Sequence, residues 1–296
     1  MYRLERCSGA DLALHREHLA IARPRHAEVQ WERFDPSLYP AEALDAAAAL
    51  YAHRAVQEMH SLALFTELAA QLHLLGAPLD WSGAFARMIA DEVRHTDLCL
   101  RMCDALGRPA RPEIDPSQLH LLSASSPRSH VRQTIVAAFC IGETISGRMF
   151  RRALRATDVP LAREVVAAIV TDETFHAELG WELGALLMRR DGPAFDEERR
   201  ELAARLPFLF SHFAGLCQVT GDRAWALGSP PVDEGPNFGT LSEAGYAKAF
   251  FDGMEEDVVP GLVAIGLPEA EPAYEALVRS LALRGDCHIE GTPERA

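Results

Sequence analysis

Lysine is nearly missing from this chain of 296 residues: Lys248 is the only one, so arginine carries almost all of the positive charge. Even so, Lys+Arg number 29 against 43 Asp+Glu, a formal net charge of -14. That balance excludes a nucleic-acid or anionic-membrane surface, because both need a dense basic field. CxxC pairs are absent as well. The six cysteines stand at Cys7, Cys99, Cys103, Cys140, Cys217 and Cys287, in a chain long enough to fold without disulfide staples, so reduced thiols in a cytoplasm are expected. No run approaches roughly 18 apolar residues, and the opening MYRLERCSGADLALH has no apolar core of a signal peptide. Neither export nor a membrane span is expected. Alternating runs of Val, Ile, Thr and aromatics, the mark of strands, are also missing.

What remains is an ordinary globular composition, 48% hydrophobic and 24% charged, with strong helical periodicity. Apolar residues recur at i, i+3, i+4 and i+7 over long stretches, so the expected fold class is all-α. Pro40, a first-turn proline, and Gly76, a helix-ending glycine followed by Pro78, predict a first helix between them. Asp80 is placed to cap a second helix that runs to about Leu106 before Gly107. Pro109, Pro112 and Pro116 make the stretch from Gly107 to Ser126 a long connection. Ser126 with Pro127 opens a third helix, lasting to about Ala156. Asp158 with Pro160 opens a fourth, which ends before Asp191, Gly192 and Pro193.

Loop lengths then set the topology. About five and about three residues join the helices of each pair, so each pair is an antiparallel hairpin. The link of about twenty residues between the hairpins is long enough to run back along a helix of roughly 40 Å, at up to about 3.3 Å per extended residue. Two hairpins and one long crossover make a ferritin-like four-helix bundle, expected over residues 40–191. Residues 1–39 read as a lead-in with a short helix around 10–22. Residues 192–296 read as a helical extension packed on the bundle. Its helices are expected near 196–219, with a kink at Pro207, and near 242–257 and 270–283, with a Gly- and Pro-rich stretch from Gly221 to Thr240.

The chemistry lies in a repeated motif. The second helix carries DEVRH (Asp91 to His95) and the fourth carries DETFH (Asp172 to His176), each Asp-Glu-x-x-His. On a helix, positions i and i+3 share a face at roughly 5 to 6 Å, so Glu92 with His95, and Glu173 with His176, are each spaced to chelate a metal ion. One such pair is also a common surface salt-bridge pattern. Two at matching places in successive hairpins form an internal repeat. The third helix adds Glu143, alone among Val136, Phe139, Cys140, Gly147, Phe150 and Leu154, where an unpaired ionised carboxylate would be costly. The first helix adds Glu58, on one face with Tyr51, Ala55, Leu62, Phe65 and Leu72. Glu67, nine residues on, points to the opposite face beside His60 and Gln71. Glu58 is therefore the expected ligand, and its 34 positions to Glu92 match the 30 from Glu143 to Glu173.

With these residues the chain resembles, over about residues 41–190, the non-haem diiron carboxylate family. That family includes bacterial multicomponent monooxygenases, ribonucleotide reductase small subunits, acyl-carrier-protein desaturases and arylamine N-oxygenases. The resemblance implies Glu58, Glu92, His95, Glu143, Glu173 and His176 as ligands of two iron ions, with manganese as the alternative metal and O2 as co-substrate. Four carboxylates balance two divalent cations, and oxygen with imidazole suits either metal. It further implies that Asp91 and Asp172 each accept a hydrogen bond from the far nitrogen of a ligand histidine, often on the opposite hairpin. Cys99 stands where ribonucleotide reductase small subunits carry a radical-forming tyrosine, and Ile169 where arylamine N-oxygenases carry a further histidine. Both are departures from those subgroups. Cys99 and Cys140 read as small core hydrophobes. His53, His60, His130, His212 and His288 read as surface or structural.

The implied activity is O2-dependent oxidation of a small organic substrate by hydroxylation, desaturation or N-oxygenation, with an electron donor or reductase as partner. A homodimer is compatible with it. The C-terminal helices favour this reading, since a substrate needs walls. Peroxide handling, a dimanganese centre and iron storage are the competing expectations.

Overall fold

The computed structural model describes residues 1–4, 20–23, 28–119, 126–189, 195–219 and 235–286. Among them the chain is mostly helical. The helices are α1 (Ala41–Leu74), α2 (Leu79–Ala105), α3 (Pro127–Thr134), α4 (Thr144–Ala156), α5 (Pro160–Leu187), α6 (Phe195–Leu216), α7 (Glu243–Gly253), α8 (Val259–Ala264) and α9 (Ala270–Asp286). Two short strands, β1 (Tyr2–Arg3) and β2 (Glu113–Ile114), pair antiparallel with Tyr2 opposite Ile114. No helix of the described residues is long and apolar enough to cross a membrane. Most of the expected helix around 10–22, the Gly221 to Thr240 stretch up to residue 234, Cys7, Cys287 and His288 lie outside the described residues.

Local chemistry accounts for the helix ends. Gly76 and Gly107 stop α1 and α2 in the left-handed region, at φ 71° and 70°. The Ala77 amide donates to Leu72 O at 3.0 Å and the Gly76 amide to His73 O at 3.1 Å, the paired bonds of a Schellman ending. Arg108 to Cys103 and Gly107 to Asp104 repeat it at 3.0 Å each. The Ser126 hydroxyl accepts from the Ser129 amide at 3.1 Å, capping α3 ahead of Pro127. One expected cap is different in the structure. Asp80 lies inside the first turn of α2, behind Pro78, because a proline already sets the entry there. Ahead of α5, the Asp158 carboxylate accepts from the Asn237 amide at 2.7 Å.

The expected third helix departs most from its periodicity. Between α3 and α4 the backbone continues as a nine-residue π-helix, Ile135–Glu143. Its i to i+5 bonding rotates side chains out of the α register, and Ile135, Val136, Ala137, Ala138, Phe139, Cys140 and Ile141 are all buried. A second π run, Met254–Val258, joins α7 to α8.

Two compact units make up the chain: Met1–Val131 with Ala153–Asp172 and Glu234–Thr240, and Arg132–Arg152 with Glu173–Asp233 and Leu241–Ala296. In the first, α1 and α2 run antiparallel. Cys103 Sγ donates to Ala48 O at 3.5 Å, and further along α1 Glu58 meets His95, further back on α2, at 3.5 Å. Phe65, Leu68, Phe85, Met88, Leu98 and Met102 fill the space with no exposure, at about 1.5 to 3 kcal/mol each. A short segment is pinned to this pair. The Tyr51 hydroxyl donates to Phe238 O at 3.0 Å and Arg54 Nη2 to Gly239 O at 2.7 Å.

In the second unit, the π-helix and the later half of α5 run antiparallel. Arg132 Nε donates to Leu187 O at 2.9 Å and Cys140 Sγ to Gly180 O at 3.4 Å. Gly180 permits the approach, since a Cβ there would stand 2.5 Å from Phe139 Cβ. Arg199 holds α6 near the start of α9 through two 2.9 Å bonds to Glu269, and Arg148 of α4 reaches Glu256 and Asp257 at 2.7 Å.

Candidate metal centre

Each unit contains a buried cluster of two carboxylates and one imidazole. In the first, Glu58 comes from α1 and Glu92 and His95 from α2, one turn apart. Their ligand atoms lie within 4.8 Å of one another. His95 Nδ1 is 3.5 Å from Glu58 Oε2 and 3.8 Å from Glu92 Oε1. In the second, Glu143 ends the π-helix and Glu173 and His176 come from α5, again within 4.8 Å. His176 Nδ1 is 3.8 Å from Glu143 Oε2 and 4.0 Å from Glu173 Oε1. The two clusters share one plan: a single glutamate on one helix of a hairpin, a Glu-x-x-His on the other, and Nδ1 of the histidine turned toward the oxygens.

Burial makes this arrangement demanding. His95 and His176 have no exposure, and Glu92, Glu173, Glu58 and Glu143 are buried too. Ionised carboxylates gathered away from water repel one another and lose hydration, so a bound cation would stabilise them. Spacing, hard oxygen donors and a neutral imidazole nitrogen fit a divalent transition metal such as iron or manganese. Glu67, by contrast, is only half-buried and faces His130 Nε2 at 3.7 Å.

Of the two motif aspartates, Asp172 stands behind the first cluster. Asp172 Oδ2 is 3.4 Å from His95 Nε2, the nitrogen opposite the one that faces the glutamates. Burial raises the Asp172 carboxyl, but the hydrogen bond and charge of His95, helped by Arg94, outweigh it and the net shift is downward. An ionised Asp172 at this distance is placed to accept Nε2–H, which would leave the Nδ1 lone pair for a metal. Asp91 is fully buried and takes Arg94 Nη1 at 2.7 Å and Arg87 Nε at 3.5 Å.

Sequence reasoning did not single out Arg94, although it sits within the motif itself. Its 3% exposure and its reach to both aspartates depend on a helix 78 positions away. Cys99, one turn beyond His95, is buried, and burial together with the Glu58 charge pushes its thiol well up. Burial does the same to Cys140. Both are therefore protonated packing groups, as is usual for such cysteines. Ile169 is fully buried. His53 is exposed, and His60, His130 and His212 are partly exposed. No protein-family model matches the chain, and no curated protein or solved structure matches it either.

Proposed function

We propose that the chain is a ferritin-like diiron oxidoreductase. On this reading two hairpins with one long crossover form a four-helix bundle, and Glu58, Glu92 and His95 hold one iron ion while Glu143, Glu173 and His176 hold the other. Two bound Fe(II) ions would supply the electrons and open coordination positions for reaction with O2. The substrate is a small organic molecule undergoing hydroxylation, desaturation or N-oxygenation, with an electron donor or reductase as redox partner in the cytoplasm. Manganese is the alternative metal.

The observation that carries this reading is the repeated geometry: in both clusters a buried glutamate faces a buried Glu-x-x-His through the histidine Nδ1. A second support is the π-helix that ends at Glu143. Runs of this kind are rare and occur at functional sites more than elsewhere. The chain's own residues have three tasks here. The four carboxylates neutralise the cations, Asp172 orients His95, and the buried surroundings keep bulk water from the clusters. Helices α6 to α9 exceed what a bundle needs and supply walls for a substrate.

Metal analysis of the purified protein, followed by O2 uptake of the Fe(II)-loaded form, tests the reading. Two iron per chain and O2 consumption that responds to organic substrates are expected. A protein inert to O2 but fast with hydrogen peroxide belongs to the peroxide class, and one that accumulates iron without turnover is a storage protein.

A further inference from the structure

The two Asp-Glu-x-x-His motifs differ most at their fourth position, Arg94 in the first and Phe175 in the second. Phe175 presents its ring to His176 edge-on, with centroids 6.3 Å apart and planes at 67°. Arg94 does something chemically different. Its Nη1 donates to Asp91 Oδ1 at 2.7 Å and to Asp172 Oδ2 at 2.8 Å, and its Nε donates to Arg23 O at 3.0 Å. Three hydrogen bonds in two directions hold the planar guanidinium in one orientation. Asp91 is 0% exposed, Asp172 2% and Arg94 3%.

We propose, building on the two-metal reading above, that Arg94 is a positioning residue. It joins the aspartates of both motifs into one buried charge network and makes the His95 cluster bind metal differently from the His176 cluster. The oxygen that takes Arg94, Asp172 Oδ2, is the same one that faces His95 Nε2. Arg94 therefore sets where that oxygen lies, and through it which imidazole nitrogen faces Glu58 and Glu92. Buried ion networks are seldom the most stable filling of a core; apolar residues of similar size often do as well or better. Placing a buried arginine between two buried aspartates, one of them against a cluster histidine, is explained by orientation.

Stepwise Co(II) titration of the apoprotein, read by calorimetry and d–d absorption, tests this. Wild type is expected to take two equivalents in two resolved steps. R94Q should weaken one step by about 10 to 100 fold, the scale for losing an outer partner of a ligand, and leave the other within about twofold. R94K, which keeps the charge but not the fork, should recover part of the loss. D172N should weaken the same step as R94Q, and the double variant should lose little more than either alone.

Equal weakening of both steps in R94Q, or wild-type affinities in both R94K and D172N, overturns the proposal. Should R94Q fail to fold, R94K and D172N decide alone. A wild-type protein that binds no Co(II) overturns the metal reading itself, a result separate from any behaviour of the variants.

Discussion

Asp172 Oδ2 stands 3.4 Å from His95 Nε2, and the other ring nitrogen of His95 stands 3.5 Å from Glu58. One imidazole thus joins a carboxylate on α5 to a carboxylate on α1, with each nitrogen given a separate task. D172N is expected to retain metal but to bind it about 10 to 100 fold more weakly. D91N should act in the same direction. Calorimetric titration measures both, and wild-type affinity in both would make these aspartates purely structural.

On the two-metal reading, the six cluster residues trade stability for binding. Ionised glutamates brought within 4.8 Å of one another would cost the folded chain stability until a cation joins them. E92Q, E143Q and E173Q should therefore raise the melting temperature of the apoprotein, by roughly 2 to 4 °C for each kcal/mol of relief. They should also abolish the rise that Fe(II) or Co(II) produces in wild type. Scanning calorimetry with and without metal checks both halves, and a full metal-induced rise in E143Q would remove Glu143 from the ligands.

Glu58 and Glu67 make a paired comparison on one helix. Glu58 is buried against His95, whereas Glu67 is half-buried beside His130. E67A should keep two metal ions per chain by elemental analysis and E58A should not. The opposite result would reassign the α1 ligand.

Gly180 sets opposing effects against each other. Alanine in a helix interior is favoured over glycine by about 1 kcal/mol. A Cβ at this position, however, would stand 2.5 Å from Phe139 Cβ and 3.1 Å from the Phe139 carbonyl carbon. Overpacking against backbone costs about 1 to 3 kcal/mol, so the clash should win and G180A should be destabilised by up to about 2 kcal/mol in urea. It should also weaken metal binding, because the same contact holds Glu143 opposite His176.

Alkaline pH should destabilise the protein through its thiols. Burial pushes Cys103 from an ordinary value of 9.0 up to about 11 and Cys217 up to about 12. Above pH 9 the unfolded chain releases protons that the folded chain retains. Stability is therefore intact below pH 9 and falls as pH rises toward these values, by about 1.4 kcal/mol per pH unit for each thiol. Cys99, Cys140 and Tyr51, also raised by burial, add to the same fall, so each variant removes only its own share. Urea midpoints under reducing conditions at pH 8, 9.5 and 10.5 should fall less steeply in C103V and C217V. Parallel slopes in wild type and variants would contradict the assignment.

Helix boundaries were the most legible feature because they are written in short-range chemistry. Gly76, Gly107, Ser126 and Pro160 act on backbone groups within a turn of themselves, so their positions alone predict where helices stop and start. The same holds for the cluster residues. Glu58 differs from Glu67 in helical face, and Glu92 and Glu173 sit three residues before their histidines, relations that a regular helix carries without any tertiary partner. Projection on an ideal helix failed where the helix is not ideal. The π-helix Ile135–Glu143 leaves no mark in a periodic apolar pattern, because nearly every residue in it is apolar and buried.

What only the tertiary structure decided are the bonds between distant elements. Asp158 marks the start of a helix in the sequence and also holds Asn237, 79 positions on. Tyr51 looked like a core aromatic and also ties down Phe238 O across 187 positions. Arg94 lies inside a motif whose neighbours were all recognised, yet its two aspartates become one site only when α5 is packed beside α2. Periodicity and capping act along the chain and can be read from it, whereas the choice of partner for a buried charge depends on which helices surround it.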